Sequence, residues 1–294
     1  NRDSYDETFL FTRIGKGSLG GTGRGLAFVA MEMKAAGIGK KYKDIYVSIP
    51  RTIVISTELF DSFLALNDFW PGDFADKNDR EILSSFLAAS LPKELEKDIE
   101  KIVSLIRVPI SVRSSSLLED SHFQPFAGVY QTSMIPNSGD DERRRKDLEN
   151  AIKTVWASTY FEGAREYLKR TGHSMEEEKM AVIIQQVTGS DHDGLWFPNI
   201  SGVARSLDYY PAGSRKAEDG IGMLAFGMGK TIVDEGAAFR FCPARPQVPV
   251  SSLTGRSSSQ RYFYALDRNA PFSPLSDIDN LVQKPLREAN RWPR

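Results

Sequence analysis

The sequence predicts a mixed α+β protein in which two α/β lobes follow one another along 294 residues. Apolar residues recur at helical spacing in several segments before residue 180, whereas short β-prone runs separated by Gly, Asp and Pro dominate after it. An apolar fraction of 40% at this length suffices for a sizeable core. We therefore predict a first lobe over residues 1–185, with a glycine-rich loop, and a second lobe over residues 186–294 that includes a C-terminal extension.

The first lobe is predicted to open with a strand, a loop and a helix. Residues 8–14 are apolar and β-prone, and six glycines follow within eleven positions, from Gly15 to Gly25. Such a density of glycine predicts a mobile loop. From Leu26 onward apolar residues recur at helical spacing, and Gly37 is a typical helix stop. The loop is therefore expected to lead directly into a helix N-terminus.

The other elements are predicted from the same patterns. Either Ser56 or Thr57 is expected to cap a helix, and the serines that follow Arg113 are expected to close a strand. In chain order we predict strands 45–49 and 53–55, helices from 59 and over 95–106, strand 110–113, a long helix over 140–167, and strands 181–187, 202–207 and 221–226. The tail beyond Pro243 is rich in Pro, Ser and Arg with weak periodicity, which predicts a packing extension or a linker.

Charge and composition exclude several classes of protein. The chain has 38 basic and 39 acidic side chains, a net charge of -1, which argues against wrapping nucleic acid or binding an anionic membrane. Its apolar stretches are far shorter than the roughly 20 residues of a membrane helix. The single Cys242 excludes an internal disulfide and fits a reducing cytoplasm. Because the sequence starts at Asn1 without a leader, we expect a piece of a longer protein.

The glycines of the first loop predict an anion-binding segment. Gly15, Gly17 and Gly20 match the spacing of a dinucleotide fingerprint, but no acid follows a strand about 20 residues on, so we reject that interpretation. Backbone N–H groups of consecutive glycines can still approach an anion, toward which the following helix directs its positive end. Lys16 and Arg24 flank the loop, so phosphate is the predicted guest. The alternative is a surface loop with solvated cations.

A second glycine-flanked cation follows the predicted strand 221–226. The run from Gly227 to Thr231 invites a P-loop interpretation, but that motif requires glycine five positions before Gly229, where Leu224 stands. That interpretation therefore fails. Lys230 remains a lysine that could touch phosphate oxygens, and the alternative is a hairpin turn with an exposed lysine.

Arg113 is the third candidate for phosphate binding. It follows an alternating apolar strand and precedes three serines, the first of which is Ser114. A guanidinium at a strand end offers a planar fork to phosphate oxygens, and the hydroxyls add donors. The alternative interpretation is a salt bridge from Arg113 to Glu119 or Asp120.

Together, these segments resemble the ATP-binding domain of the phosphoenolpyruvate synthase and pyruvate phosphate dikinase family over residues of about 9–242. The matching motifs occur in the family's order. They are Gly20-Gly21 before a helix, Ile49-Pro50 with Val54-Ile55-Ser56-Thr57-Glu58, Ile110 to Ser116 with Glu119-Asp120-Ser121 and Phe126-Ala127-Gly128, Trp156-Ala157-Ser158, and Gly227 to Val233.

The resemblance implies an ATP-grasp fold, whose two lobes close over ATP with Mg2+. It implies that Arg113 contacts the phosphates and that strand 182–187 is a hinge beside adenine. Arg113 and Lys230 are then the expected catalytic residues. The expected nucleotide-binding residues are Lys16, Gly20, Gly21, Thr22, Arg24, Ser114, Gln185 and Gly229, and the expected metal ligands are Glu218 and Asp219.

The resemblance further implies a cytoplasmic phosphotransferase whose ATP-binding domain passes a phosphoryl group to a histidine on a separate swivelling domain, en route to pyruvate. No phosphohistidine motif occurs here, and the length leaves no room for a pyruvate-binding barrel of about 250 residues. Those two domains are therefore expected partners outside this sequence, and neither nucleic acid nor a membrane is expected as a partner.

Two positions depart from the family pattern. Thr22 stands where lysine is expected, and Lys230 stands where glutamate is expected. A lost charge-assisted contact costs about 1.5–3 kcal/mol, so either Lys16, Arg24 or Lys230 substitutes or nucleotide affinity is weaker. The alternative functions are therefore a degenerate nucleotide-sensing regulatory domain, or a dikinase of the same family with another acceptor.

Overall fold

The computed structural model describes residues 11–116, 128–211, 213–235, 238–247, 260–274 and 280–291. These residues form two compact units. Unit 1 comprises the described parts of residues 1–187 and 271–279, and unit 2 comprises those of residues 188–270 and 280–294. The predicted mixed α+β class is confirmed, because helices and several sheets are both present. No helix within the described residues is long and apolar enough to cross a membrane.

Unit 1 is a sheet with helices on both of its faces. In chain order its elements are β1 Phe11–Ile14, α1 Gly20–Ala35, β2 Thr52–Ile55, α2 Thr57–Leu66, α3 Asp79–Ala88, α4 Lys93–Leu105, β3 Ile110–Ser116, β4 Thr132–Ile135, α5 Asp141–Ser158, α6 Glu162–Thr171 and β5 Met180–Gln186. The five strands lie in the order β1-β2-β5-β3-β4, where β1 and β2 are parallel and the other neighbours are antiparallel.

Alternation along the strands assigns each side chain to one face of this sheet. Ile53, Val112 and Val182 join the large core formed with helices α2 to α6. Val54 and Ile183 point the opposite way and pack with Leu26 of α1. We call this second side the α1 face. A central strand that is buried on both sides reads as a continuous apolar run, which explains why β5 was predictable from sequence.

Aromatic rings fill the large core of unit 1. The ring centroids of Phe63 and Trp156 lie 4.9 Å apart, and those of Phe74 and Tyr160 lie 4.8 Å apart. Trp156 belongs to the Trp-Ala-Ser motif noted in the sequence, and its side chain is fully buried. Ser158 of that motif accepts a hydrogen bond of 3.1 Å from the Gln131 N–H, just before β4. This motif therefore holds helix α5 against the sheet.

A buried guanidinium joins α4 to α5. Arg144 is 2% exposed and donates to the carbonyl oxygens of Val103 and Ile106 at the end of α4, the latter at 2.7 Å. Its Nε donates to Asn137 at 3.1 Å, and its fourth partner is Asp141 at 2.7 Å. The last carbonyls of a helix need donors from elsewhere, and Arg144 supplies them.

Unit 2 is built from short strands and single helical turns within the described residues. Its strands are β6 Ser190–His192, β7 Leu195–Phe197, β8 Ile200–Arg205, β9 Ile221–Phe226, β10 Phe239–Phe241, β11 Tyr262–Asp267 and β12 Leu281–Pro285. They form a three-stranded sheet, β10-β9-β8, and a four-stranded sheet, β12-β11-β7-β6. Of the two alternatives predicted for the tail, a packing extension or a linker, its described part agrees with the packing extension, because β11 and β12 pair antiparallel and Phe263, Ala265 and Leu266 are fully buried.

Several predicted element boundaries in unit 1 were wrong. The stretch 45–49 forms only an isolated bridge between Tyr42 and Ile45, and Ile45 is 61% exposed. The long helix predicted over 140–167 is two helices, because α5 ends at Ser158 and α6 begins at Glu162. Strand β3 continues through Ser116, since its serines pair with β5 instead of ending the strand.

Candidate functional site

The segment after β1 is held firmly against the start of α2. The Ser18 N–H donates to the Thr57 hydroxyl at 3.0 Å, and the Thr57 N–H donates to the Ser18 carbonyl at 3.0 Å. The Lys16 N–H donates to the Glu58 carboxylate. Gly17 leaves no room for a side chain, because a Cβ there would lie 2.6 Å from the Glu58 nitrogen. The Lys16 side chain itself is exposed.

Helix α1 begins at Gly20, so the prediction of a mobile glycine loop up to residue 25 is wrong. Gly20 has φ +71°, and a Cβ there would overlap the Ser115 carbonyl. The Gly23 N–H donates to the Ser115 hydroxyl at 2.9 Å, and that hydroxyl donates to the Leu19 carbonyl at 2.7 Å. These glycines allow α1 to contact the backbone of β3, which is a close-packing role.

The positive end of α1 carries no negative side chain. Its first turn lacks acidic residues, and the N-cap residue Leu19 provides no side-chain cap. The exposed Arg24 curls back over this turn, where its Nε donates to the Gly20 carbonyl at 3.2 Å. Gly21 and Thr22 lie half-buried in the same turn. The predicted residues Gly20, Gly21, Thr22 and Arg24 are therefore together, at a helix end suited to an anion.

Arg113 lies on the α1 face of the sheet. It is the exposed residue in a strand whose other positions are buried. Ser115 is two residues further along the same face, a step of about 6.6–6.8 Å along a strand, and Ser115 contacts the start of α1. Within the described ranges the guanidinium forms no ion pair; the alternative partners Glu119 and Asp120 lie outside those ranges. Arg113 and the helix start therefore share one surface.

Ser114, by contrast, lies apart from this surface. Alternation places it on the face covered by α2 to α6, and it is 3% exposed. Ser115, and not Ser114, is the serine that contacts the start of α1. Sequence alone could have indicated this, because residues i and i+2 of a strand share a face, and the expected end of β3 at Arg113 concealed the alternation.

Gln185 lies on the α1 face as well. Its register partners are Thr52 of β2 and Ser111 of β3, and its side-chain amide nitrogen donates to the Thr52 hydroxyl at 2.8 Å. Ser111 precedes Arg113 by two residues, so Gln185 is a diagonal neighbour of Arg113 at about 7–8 Å. Thr52 and Arg13 are further polar residues of this face that sequence reasoning missed, and Arg13 is exposed on β1.

Lys230 and Gly229 belong to unit 2. Gly227 turns the chain after β9 with φ +81°, and the Met228 N–H donates to the Tyr264 carbonyl of β11 at 2.8 Å. The Lys230 ammonium lies over the Tyr264 ring, 5.8 Å from its centroid. Lys230 is half-buried, so the alternative of a tight hairpin with an exposed lysine is wrong. The convergence of Lys230 with Arg113 on one ligand stays a prediction.

The predicted metal ligands are arranged unequally. Asp219 accepts the Lys216 N–H at 2.7 Å and pairs with Arg245. These donors hold the pKa of Asp219 below its ordinary value, and the largest effect comes from the hydrogen bond of the Lys216 N–H. Glu218 is exposed. Within the described part of the chain, no group of three His, Cys, Asp or Glu side chains comes together to hold a metal. Asp219 is therefore engaged by Arg245, Glu218 is the exposed carboxylate, and a metal site at these two acids stays a prediction.

Comparison with protein families finds one match that covers most of the chain. The family described as pyruvate phosphate dikinase, AMP/ATP-binding domain, matches residues 18–260. The match includes the start of α1, strand β3 with Arg113, and the turn with Lys230.

Curated proteins with similar sequences include two that are named as transferases. The phosphoenolpyruvate synthase of Aeropyrum pernix is 25% identical over 56% of this chain and 22% of its own length. The uncharacterized phosphotransferase YvkC of Bacillus subtilis is 24% identical over 51% of this chain and 17% of its own length. The prodigiosin synthesizing transferase PigC of Serratia marcescens is 29% identical over 51% of this chain and 16% of its own length. The similarity thus spans about a fifth of these relatives.

Proposed function

Because the chain belongs to the pyruvate phosphate dikinase AMP/ATP-binding domain family, as its motifs predicted, we propose that it binds ATP on the α1 face of unit 1 and supports phosphoryl transfer. Phosphotransferases among its relatives support the transferase assignment. We further propose an ATP-grasp arrangement, in which unit 2 closes over the nucleotide, and a location in the cytoplasm.

One observation carries this proposal. The N-terminus of α1, whose first turn carries no acidic side chain, is pressed by Gly20 and Gly23 onto Ser115, and Arg113 is exposed one strand step away on the same face. Backbone N–H groups at a helix start and a guanidinium both donate hydrogen bonds to phosphate, and here they lie on one face of the sheet. The rigid packing of the helix start fixes their separation before any ligand arrives.

Phosphoryl transfer needs alignment and charge neutralisation more than covalent help, and the candidate residues supply both. The Gly20 N–H already donates to the Ser18 hydroxyl at 3.2 Å, so we assign the backbone contact with phosphate oxygens to Gly21. To Arg113 we assign the stabilisation of the transferred group. Lys16 and Arg24 add positive charge at the same end of the unit, where Thr22 offers a hydroxyl in place of the expected lysine. From unit 2, Gly229 and Lys230 complete the proposed phosphate contacts.

Magnesium enters the proposal as the counter-ion that ATP brings with it. Asp219 is committed to Arg245, so of the two predicted ligands Glu218 offers the exposed carboxylate. Hard oxygen ligands of this type suit Mg2+, which keeps several waters and few protein ligands in nucleotide sites. No step of the transfer is derived through a resident metal.

For the acceptor, we propose a histidine on a separate domain, from which the phosphoryl group proceeds to pyruvate. The name of the Aeropyrum pernix relative supports pyruvate chemistry. The name of PigC shows that a transferase containing a similar stretch serves prodigiosin synthesis, which supports the alternative of a different final acceptor. The similarity covers 22% or less of each relative, so the acceptor-binding parts are expected outside it.

Arg113→Ala tests the proposal directly. We expect about 10-fold to 150-fold weaker Mg-ATP binding in calorimetric titration, because a hydrogen bond to a charged group contributes about 1.5–3 kcal/mol. The thermal midpoint should stay unchanged, since the side chain is exposed. Arg80→Ala is the matched control: Arg80 is exposed on α3, across the sheet from the α1 face, and should leave ATP affinity unchanged.

A phosphotransfer assay distinguishes a phosphotransferase domain from a nucleotide-sensing regulatory domain. Wild-type chain is incubated with radiolabelled ATP and a histidine domain of a phosphoenolpyruvate synthase. The transferase proposal expects label on the histidine domain and none with Arg113→Ala. Thr22, in place of the lysine of the family pattern, favours the regulatory alternative, for which ATP binding without any labelling is the expected result. Equal ATP binding and labelling by Arg113→Ala and wild type would remove Arg113 from the mechanism.

A further inference from the structure

The hydrogen bonds around Gln185 determine which way its side-chain amide points. The Thr52 hydroxyl oxygen lies 2.8 Å from the Pro50 carbonyl, and the Gln185 amide nitrogen lies 2.8 Å from the same hydroxyl. A carbonyl oxygen can only accept, so the single hydroxyl hydrogen of Thr52 is used on Pro50. Thr52 can then only accept from Gln185. The amide therefore turns its NH2 group to Thr52 and its oxygen Oε1 away from it.

This orientation is held by the surrounding sheet. Thr52 is 0% exposed, so water cannot replace its hydrogen bonds. The main chain at Gln185 is paired on both sides, with Thr52 in β2 and Ser111 in β3, and the Ser111 hydroxyl donates to the Gln185 carbonyl at 3.3 Å. If the amide were flipped, its oxygen would face the Thr52 hydroxyl oxygen with no hydrogen between them, which is unfavourable in a buried position.

The position of Gln185 on the α1 face follows from the strand register. Ser115 contacts the start of α1, Arg113 comes next, and Ser111, the partner of Gln185, comes after it. Each step is two residues, about 6.6–6.8 Å. If the phosphates lie between the helix start and Arg113, a nucleotide extended along this face brings its base toward Gln185. This step rests on the proposed function.

We propose that Thr52 makes Gln185 an obligate acceptor and that this pair selects adenine over guanine. The amide oxygen of Gln185 accepts from the 6-amino group of adenine, which is a donor at that edge. Guanine presents its O6 acceptor at the same position, so two oxygens would face each other without a hydrogen between them. Gln185 is then the specificity-determining residue, and Thr52 is the residue that positions it.

The test compares Thr52→Val with Thr52→Ser in the full chain. Dissociation constants for Mg-ATP and Mg-GTP are measured for each variant by calorimetry, together with thermal midpoints. Thr52→Val keeps the side-chain shape but removes the hydroxyl, so the amide can turn, and the preference for ATP should fall about twofold to tenfold, the value of one neutral hydrogen bond. Thr52→Ser keeps the hydroxyl and should keep the preference.

Gln185→Leu is the second variant and decides the question if Thr52→Val does not fold. It removes the acceptor itself, and the preference for ATP over GTP should fall by the same factor. An unchanged ratio of ATP to GTP affinity in folded Thr52→Val or in Gln185→Leu overturns this inference alone, provided that wild type binds ATP and Arg113→Ala weakens the binding of both nucleotides. A wild-type chain that binds neither nucleotide overturns the proposed function and, with it, this inference.

Discussion

Two alanine substitutions in helix α1 distinguish close packing from mobility as the role of its glycines. Gly20→Ala puts a Cβ into the Ser115 carbonyl at a residue with φ +71°. The left-handed conformation costs about 1–2 kcal/mol for an alanine, and overpacking adds about 1–3 kcal/mol. The expected loss in the free energy of unfolding is therefore about 2–5 kcal/mol. A Cβ at Gly25 would meet open space, with nothing beyond its own helix backbone within 4 Å, so Gly25→Ala should gain about 0.5–1 kcal/mol.

Thermal unfolding and Mg-ATP titration measure both substitutions. Gly20→Ala should lower the midpoint by roughly 4–20 °C, because each kcal/mol corresponds to about 2–4 °C at this size, and should weaken ATP binding by displacing the helix start from Ser115. Gly25→Ala should raise the midpoint slightly and leave binding unchanged. Loss of ATP binding in Gly25→Ala without loss of stability would refute this reasoning and indicate that the segment needs flexibility.

Two further predictions concern buried and paired charges. Arg144→Met should lower the free energy of unfolding by about 2–4 kcal/mol, because it leaves the carbonyls of Val103 and Ile106 without their hydrogen-bond donor. Urea unfolding measures this loss. The control is Arg145→Met, which should change the stability little because Arg145 is half-exposed. Asp219→Asn should destabilise the chain at neutral pH. Because the pKa of Asp219 is lowered in the folded chain, its contribution to stability is present above the pKa of an unfolded Asp, about 4, and is lost as pH falls below that value. The unfolding midpoints of wild type and Asp219→Asn should therefore converge below about pH 4. A difference that stays constant with pH would contradict this prediction.

Prediction from sequence was strongest where one face or both faces of an element are buried. The continuous apolar run of β5 and the helical spacing of α4 each identify their element without any partner. Prediction from sequence failed where pairing with another strand determines whether a segment is a strand. Phe263 and Leu266 lie in β11, which a Pro- and Ser-rich tail concealed, and the serines of β3 are strand residues because β5 pairs with them. Strand pairing depends on distant segments that local patterns do not contain.

The candidate site divides in the same way. Residue types and their order were enough to identify the family, the importance of the glycines and the candidacy of Arg113, because these depend on chemistry that local sequence carries. Only the tertiary structure showed that Gly20 contacts Ser115, that Ser114 faces away, and that Thr52 orients Gln185. Each of these depends on strand register, which brings together atoms far apart in the chain, and register is set by the packed sheet as a whole.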